Sequence, residues 1–315
     1  MSEIILEAKN VSCIFPASKG RSLIANDNVS LQVKRGEILG IAGESGCGKS
    51  TFVKMAAQLI EPSSGTILFN GKEITSLKGI EKRRNRRNIQ MVFQDPSDSF
   101  SPKMKIKEIL CEPLLNYKLI KKSEVNETAG KLLNMVELPA EFADRYAHNM
   151  SGGQRQRVAI ARALALEPAI LICDEATSAL DVSVQKSIVE LLMRLQREKN
   201  ITILFICHDI ALVKQISTRT VIMYLGNIVE IVPSRQLGQK PAHPYTEALR
   251  KSVFSIDMDF TKSIDSIDSE TPSPLNVPAG CPFQNRCSRC IDLCRSEKPA
   301  LKEVENGHMI ACHLY

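Results

Sequence analysis

The sequence predicts an α/β fold with a buried, mainly parallel sheet. Short apolar runs of strand length, such as Ile38–Ala42, Ile170–Cys173 and Ile201–Cys207, alternate with predicted helices. Strands covered on both faces have near-continuous apolar sequences, unlike the alternating pattern of half-buried strands. A glycine-rich stretch follows the first run at once and precedes a predicted helix. These observations favour strand–helix units over an all-helical or all-strand fold.

The remaining elements continue this alternation along the chain. Helices are predicted over Lys49–Leu59, Ser123–Val136, Gly153–Ala165 and Val184–Lys199, and strands over Thr66–Phe69, Ile89–Phe93, Val221–Tyr224 and Asn227–Val232. A Leu-Gly turn separates the last two strands and predicts a hairpin. The composition changes after about Gly238, and the Ser, Asp and Thr content of Ser255–Pro274 predicts a linker or a poorly packed segment. We therefore predict one domain over residues 1–235 and an extension over residues 236–315.

Composition excludes several classes of protein. Of the 315 residues, 43% are hydrophobic and 24% charged, which is ordinary for a globular protein and excludes disorder of the whole chain. The net charge of +6 is too small to indicate a nucleic-acid partner, and the absence of Trp disfavours a base-stacking surface. No apolar stretch approaches the roughly 20 residues of a membrane span, and Met1–Ala8 lacks a secretory signal pattern. The basic run Lys82–Arg87 is interpreted as a solvated surface segment rather than a nuclear signal or nucleic-acid patch.

A phosphate-binding loop is predicted between the first apolar strand and the helix after it. Gly43–Ser50 fits the pattern G-x4-G-K-[ST]. Glycines let backbone N–H groups surround phosphate oxygens, and the N-terminus of the helix adds partial positive charge. Lys49 is expected to reach the terminal phosphates, and the Ser50 hydroxyl to bind Mg²⁺. The predicted nucleotide contacts are Gly43, Glu44, Ser45, Gly46, Cys47, Gly48, Lys49, Ser50 and Thr51.

Two acidic residues end a later apolar strand. Asp174 and Glu175 follow Ile170–Cys173 directly. Acidic side chains at the carboxyl end of a parallel strand point into the crevice where α/β proteins bind ligands. Asp174 is expected to hold the Mg²⁺ shell, and Glu175 to polarise an attacking water.

Ser151-Gly-Gly-Gln-Arg155 stands just before a predicted helix, about 20 residues ahead of Asp174. Here the sequence resembles the ATP-binding subunits of ABC transporters, and the resemblance covers essentially the whole chain. The motifs occur in that family's order: Walker A at Gly43–Ser50, the Q-loop at Gln94, the signature at Met150–Gln154 with Met150 in place of Leu, Walker B at Ile170–Glu175, the D-loop at Ser178–Asp181, and the switch histidine at His208. Phe15 falls where the family places an aromatic residue on adenine, although a core position is an alternative for it.

The resemblance implies an ABC cassette with a mainly parallel core, an antiparallel β subdomain and a helical signature subdomain at about residues 95–165. It implies that two cassettes face each other head to tail, so that the signature of one covers ATP on the other. The catalytic residues it implies are Glu175, His208 and Gln94; the Mg²⁺ ligands are Ser50, Gln94 and Asp174; and the further nucleotide contacts are Phe15, Ser151, Gly152, Gly153, Gln154 and Asp181. The implied partners are a second, non-identical ATP-binding subunit, two membrane permease subunits facing the Gln94–Pro102 region and an extracellular binding protein. The implied location is peripheral, at the cytoplasmic face of the membrane.

The cysteines divide into two groups. Five are scattered and are expected to be small buried side chains, and five crowd the last 35 residues. The chain after Pro272, together with His243–Leu249, resembles the C-terminal extension of oligopeptide and dipeptide import ATPases, most closely the F-type subunit. In that family Cys281, Cys287, Cys294 and Cys312 can hold a [4Fe–4S] cluster, for which four thiolates are the required set. Cys290 is an alternate ligand if Cys287–Cys294 is helical, and a zinc site, with His308 or His313 as further ligands, or no metal remain alternatives.

The resemblance thus predicts an ATPase that powers a peptide importer. Import of nickel or of a metallophore is the alternative within the subfamily. A non-transport ABC ATPase is disfavoured because the chain has a single cassette and an importer-like tail. A module that binds ATP without hydrolysing it is disfavoured by the presence of Glu175 and His208.

Overall fold

The computed structural model describes residues 3–17, 20–178, 180–237, 243–251, 273, 275 and 277–315. The predicted linker Ser255–Pro274 lies outside these described residues except for Ser273. Among the helices described, none has the length and apolar character needed to cross a bilayer.

The described strands and helices follow one another in the predicted alternation. The strands are β1 (Ile4–Pro16), β2 (Ser22–Lys34), β3 (Ile38–Ala42), β4 (Ser64–Phe69), β5 (Lys72–Glu73), β6 (Ile89–Val92), β7 (Ile170–Asp174), β8 (Thr202–Ile206), β9 (Arg219–Tyr224), β10 (Asn227–Pro233), β11 (Lys302–Glu305) and β12 (His308–Ile310). The α-helices are α1 (Lys49–Ala56), α2 (Gly79–Arg86), α3 (Ile106–Asn116), α4 (Val125–Met135), α5 (Gly152–Leu164), α6 (Val182–Lys199), α7 (Ile210–Ile216), α8 (Pro244–Lys251) and α9 (Leu293–Ser296).

The apolar runs form the strands that the sequence predicts. Every residue of β3, β7 and β8 is buried, as their near-continuous apolar sequences require. Helix α1 ends three residues before the predicted Leu59. The chain leaves the helix at Gln58, which adopts a left-handed φ of 57° and whose side-chain amide donates to the Ile74 carbonyl at 2.7 Å.

The chain packs as two compact units. The first comprises Met1–Leu77 and Phe205–Tyr315, and the second comprises Lys78–Leu204, so the boundary between them falls within β8. The C-terminal extension therefore belongs to the same unit as the phosphate loop. The domain boundary placed at residue 235 from the sequence stays a prediction.

The first unit contains an antiparallel sheet and a mixed set of strands. The antiparallel sheet has the order β2-β1-β4-β5, which is the predicted antiparallel subdomain. The other strands follow the order β11-β12-β10-β9-β3. Strands β3 and β9 are parallel, and β9 and β10 form the predicted antiparallel hairpin. Strand β12 of the extension continues this set by pairing with β10.

The second unit contains the parallel pair β6–β7 and the helices of the predicted signature subdomain. Helices α3, α4 and α5 contact one another, and α5 also contacts α6. Helix α2, which carries the basic run, buries no residue, as expected for a solvated segment. One of its arginines, Arg83, donates to the Asn116 carbonyl at 2.9 Å and lies 5.4 Å from the ring centre of Tyr117.

A buried carboxylate joins the extension to β10. Glu230 is fully buried and accepts from His308 Nε2 at 2.7 Å, from the Thr246 hydroxyl and from the His243 backbone N–H at 3.2 Å. A charge removed from water is tolerated only when such donors surround it. Glu230 thus holds α8 and β12 against the same point of β10.

His243 makes the stability of this arrangement depend on pH. Its side chain is 1% exposed, and its Nδ1 accepts the Tyr245 N–H at 3.1 Å. Burial lowers the pKa of His243 from 6.5 to about 4, against the opposing effect of the Glu230 carboxylate, while Arg289 lowers it further. The unfolded chain therefore binds a proton at a higher pH than the folded chain does. The part of the free energy of unfolding that depends on a neutral His243 is present in full above pH 6.5. It is lost as the pH drops from 6.5 towards 4.

We expect His243→Gln to flatten this dependence. At about 1.4 kcal/mol per pH unit, the free energy of unfolding that the wild type loses through His243 approaches about 3 kcal/mol at pH 4. The measurement is urea unfolding at several pH values between 4 and 7. The exposed His148, changed to Gln, is the control and should leave the wild-type slope. An unchanged slope in His243→Gln would contradict the assignment.

Candidate functional site

The phosphate loop in the first unit has room only for glycine at two positions. It runs from the end of β3 at Ala42 to the start of α1 at Lys49. Gly43 has a φ of 150°, and a Cβ on it would lie 2.2 Å from the Met223 carbonyl oxygen. Gly48 has a φ of 100°, and its Cβ would lie 2.2 Å from the Ala25 carbonyl oxygen. No side chain fits either distance, so the backbone of the loop is packed directly on neighbouring backbone.

Lys49 places its ammonium group inside this loop. The residue is 3% exposed, and its Nζ donates to the carbonyls of Gly43 at 2.7 Å and Glu44 at 2.8 Å. The first turn of α1 has no acidic residue, so the partial positive charge of the helix start is not neutralised there. Burial raises the pKa of the neighbouring Cys47 thiol, which stays neutral as the predicted small filler. The loop therefore combines the features of an anion site: backbone N–H groups, a helix N-terminus and an ammonium group.

Two further residues support the loop and were not found from the sequence. Asn26 is fully buried, and its side-chain amide donates to the Gly48 carbonyl at 3.3 Å. The Gly226 N–H donates to the Cys47 carbonyl at 2.9 Å from the turn between β9 and β10. Neither residue belongs to a local motif, because each acts through a contact distant in sequence. The Leu-Gly turn was visible as a hairpin signal but not as a support of the loop.

Two other predicted contacts also lie in the first unit. His208 follows β8 and is exposed, whereas its neighbour Asp209 caps α7 by accepting the N–H groups of Ala211 at 2.8 Å and Leu212 at 3.2 Å. Asp209 therefore caps α7, and the exposed imidazole of His208 takes no part in this cap. Phe15, on β1, is 37% exposed, so the alternative of a core aromatic is wrong.

In the second unit, the two predicted acidic residues lie at and directly after the end of β7, and they differ in burial. Asp174, the last residue of β7, is 6% exposed. Glu175 is half-buried and has a left-handed φ of 49°, which costs a residue with a Cβ about 1 kcal/mol or more. The turn is held by the Ser178 N–H and hydroxyl, which donate to the Glu175 carbonyl at 3.1 and 3.0 Å.

The predicted signature forms an exposed helix start in the second unit. Ser151 caps α5: its hydroxyl accepts the Gln154 N–H at 3.3 Å, and the Gln154 side chain accepts the Ser151 N–H at 3.0 Å. A Cβ on Gly153 would lie 2.5 Å from Val184, so glycine lets α5 approach α6. Met150 is buried, which explains why an apolar residue other than Leu is accepted there. Ser151 itself is exposed, so the start of α5 is open to an anion from outside the chain.

The other predicted contacts of the second unit are exposed. Gln94 lies two residues after β6, and Asp181 immediately precedes α6 without capping it through its side chain. Ala179 of the predicted D-loop lies outside the described residues.

The C-terminal cysteines lie near one another without forming a ready metal site. Burial raises the pKa of the Cys281 thiol to about 11, the Phe283 backbone N–H opposes this by hydrogen bonding, and the nearby thiols of Cys294, Cys312 and Cys287 raise it further. All ten cysteines lie in the described part of the chain, and none of them forms a disulfide bond there. Within the part of the chain that the structure describes, no three or more His, Cys, Asp or Glu side chains are placed to hold a metal ion.

The helix over Cys287–Cys294 that would make Cys290 an alternate ligand does not form in this described segment. A 3₁₀ turn ends at Arg286, and α9 begins only at Leu293, so the cysteines between them share no helical face. The N–H of Cys281 donates to the Cys294 carbonyl at 2.8 Å, and such non-helical backbone contacts set the loop instead. The histidines considered as zinc ligands are engaged elsewhere: Nε2 of His308 pairs with Glu230, and Nε2 of His313 lies 2.9 Å from the Glu297 carbonyl.

Two family models and several known proteins match the chain. Residues 26–178 match the family described as ABC transporter, and residues 229–294 match the oligopeptide/dipeptide transporter C-terminal region. A putative peptide import ATP-binding protein from Brucella ovis is 48% identical over 91% of this chain and 90% of its own length. The oligopeptide transport ATP-binding protein AppF of Bacillus subtilis is 43% identical over 99% of this chain and 98% of its own length.

The chain belongs to the ABC transporter family. The ABC cassette MJ0796, solved as a post-hydrolysis dimer bound to ADP and Pi, superposes with a TM-score of 0.67 at 32% identity over 73% of this chain and 99% of its own. The predicted fold of a P-loop ABC cassette is therefore confirmed. This ABC protein is an ATPase, as the family's cassettes are.

Within the ABC cassette, Gly43 and Gly48 of the phosphate loop leave no room for a side chain. We expect Gly48→Ala to weaken ATP binding more than tenfold, because the added methyl group meets the backbone of Ala25 and the residue requires a left-handed φ. Titration of the purified chain with a fluorescent ATP analogue measures the change. Gly71, which has a φ of 73° and open space around it, is the matched control. Gly71→Ala should cost about 1 kcal/mol of stability and leave ATP affinity unchanged. Equal affinities in the two variants would contradict the packing argument.

Proposed function

We propose that this chain is the ATP-hydrolysing subunit that powers a multi-subunit importer of dipeptides and oligopeptides. One observation carries the proposal: a phosphate loop with a buried Lys49 shares a compact unit with an extension that matches the oligopeptide/dipeptide transporter C-terminal region. The names of the Brucella and Bacillus relatives support the same substrate class.

The site residues are proposed to act as follows. The phosphate loop and Lys49 bind the phosphates of ATP, and Ser50, Gln94 and Asp174 would hold Mg²⁺, which supplies charge neutralisation during phosphoryl transfer. The Glu175 carboxylate accepts a hydrogen bond from the attacking water and orients it in line with the leaving group. His208 lies near the γ-phosphate, and Phe15 stacks on the adenine. The exposure of His208 and Phe15 supports these two assignments.

The signature helix is proposed to act on a second cassette. The start of α5 is open to solvent, and its N–H groups and the Ser151 hydroxyl suit a γ-phosphate arriving from outside the chain. The dimeric state of the MJ0796 cassette supports this arrangement. Gln154 and Asp181 would contribute to the same dimer, with a related subunit as the second cassette. The remaining partners are two permease subunits and an extracellular binding protein, which place this chain peripherally at the cytoplasmic face of the membrane.

We expect Glu175→Gln to separate ATP binding from hydrolysis. The amide preserves the shape of the side chain but accepts no proton, so steady-state hydrolysis by the assembled importer should fall at least 100-fold while ATP affinity is kept. ATP-driven uptake of labelled dipeptides and oligopeptides into proteoliposomes should fall in parallel.

Glu190, exposed on α6, provides the control, and Glu190→Gln should leave hydrolysis and uptake unchanged. Turnover near that of the wild type in Glu175→Gln would overturn the role of Glu175. Uptake of nickel or a metallophore by the wild-type importer in place of peptides would overturn the substrate class and leave the ATPase assignment intact.

The iron–sulfur cluster stays a prediction of the extension. Its support is a set of four cysteines outside any disulfide, two of which, Cys281 and Cys294, are joined by a backbone hydrogen bond of 2.8 Å, since thiolates are the ligands such clusters require. The expected role is structural, because transport needs no electron.

Assays of iron and acid-labile sulfide on anaerobically purified protein test this prediction. We expect about four of each per chain, lost in Cys294→Ser and kept in Cys111→Ser, whose thiol is buried in the other unit. Zinc without sulfide, or a metal-free sample, would contradict it.

A further inference from the structure

Glu44 of the phosphate loop is paired with an arginine of the C-terminal extension. The Arg286 guanidinium donates from Nη1 to Glu44 Oε2 at 2.8 Å and from Nη2 to Oε1 at 3.1 Å. The two residues are 242 positions apart in sequence. The side chain of Arg286 is 5% exposed and that of Glu44 is 21% exposed, so the pair is largely shielded from water. Paired, shielded charges of this geometry form the strong class of ion pair.

A second residue of the extension holds the backbone of Glu44. The fully buried Tyr245, on α8, accepts the Glu44 N–H with its hydroxyl oxygen at 2.8 Å. The ring of Tyr245 packs on Tyr224 at 4.6 Å and on Phe283 at 5.4 Å between ring centres. Arg286 also donates to the Tyr224 hydroxyl at 3.3 Å. The extension thus reaches Glu44 through both the side chain and the main chain.

The charge of Glu44 explains what these contacts do. A carboxylate in a loop that receives phosphates repels them, and in a partly shielded place this repulsion is only weakly screened. The guanidinium of Arg286 neutralises that carboxylate. The Glu44 carbonyl is also one of the two acceptors that hold Lys49 Nζ, so a displacement of Glu44 displaces the ammonium group that binds the phosphates.

We propose that Arg286 and Tyr245 are positioning residues for nucleotide binding, through which the C-terminal extension braces the phosphate loop. The inference rests on ATP binding by this cassette. It makes the extension part of the nucleotide site of its own chain. The loop binds the nucleotide, and Arg286 and Tyr245 influence this binding through their contacts with Glu44.

The test compares the full-length wild type with Arg286→Gln. We expect the Kd for a fluorescent ATP analogue with Mg²⁺ to rise about tenfold, because the Glu44 carboxylate loses its bidentate partner. In the assembled importer the KM for ATP should rise by a similar factor, while kcat stays within about threefold. Adding Glu44→Gln to Arg286→Gln should restore the affinity of the wild type, because the charge that needs neutralising is then gone. A merely structural role of Arg286 predicts no such rescue.

Arg289→Gln is the matched control. Arg289 lies three residues later in the same segment and pairs with Glu247 of α8 at 3.1 Å, so its removal should leave the Kd unchanged. Tyr245→Phe removes only the hydroxyl and should weaken binding several-fold. If Arg286→Gln does not fold, Arg286→Lys keeps the charge without the bidentate geometry and should raise the Kd about threefold.

Two outcomes overturn the inference: wild-type affinity in Arg286→Gln or Arg286→Lys, or a double variant that binds no better than Arg286→Gln. Failure of the wild type to bind the ATP analogue would instead overturn the proposed function. The two failures are therefore distinguishable.

Discussion

The tight packing of the phosphate loop on neighbouring backbone is the constraint on which the site depends. Gly43 and Gly48 bring the loop within contact of the Met223 and Ala25 carbonyls, distances that no side chain would permit. Because the loop cannot relax outwards, its N–H groups and the Lys49 ammonium are held in place before any nucleotide arrives. Such preorganised donors stabilise phosphate charge without reorganisation during the reaction.

The acidic residues of the second unit are likewise positioned by their local backbone. The buried strand β7 ends in Asp174, and the strained Glu175 comes directly after it. A rigid strand end fixes the position of the carboxylates, while the left-handed turn changes the chain direction at Glu175. Asp174, the proposed Mg²⁺ ligand, and Glu175, the proposed base for the attacking water, therefore differ in burial although they are adjacent in sequence.

The C-terminal extension is anchored by buried polar groups as well as by strand pairing. Glu230 collects donors from α8 and β12, and Tyr245 on the same helix α8 reaches the phosphate loop. The cost of burying Glu230 without these donors makes the docked position specific. An extension fixed in this way holds Arg286 at a defined position, and the proposed pairing of Arg286 with Glu44 requires this.

The class of fold, most elements and the chemical type of the site could be predicted from the sequence. Buried strands, a glycine loop before a helix and a capped helix start each depend on residues within about ten positions, so their patterns are visible in the chain. The folded chain was needed to establish three further features: the exposure of Phe15, the non-helical path through Cys290, and the support of the loop by Asn26, Tyr245 and Arg286. These features depend on contacts between residues up to 242 positions apart. A local pattern cannot specify them, because burial and pairing at such separations arise only when the elements pack.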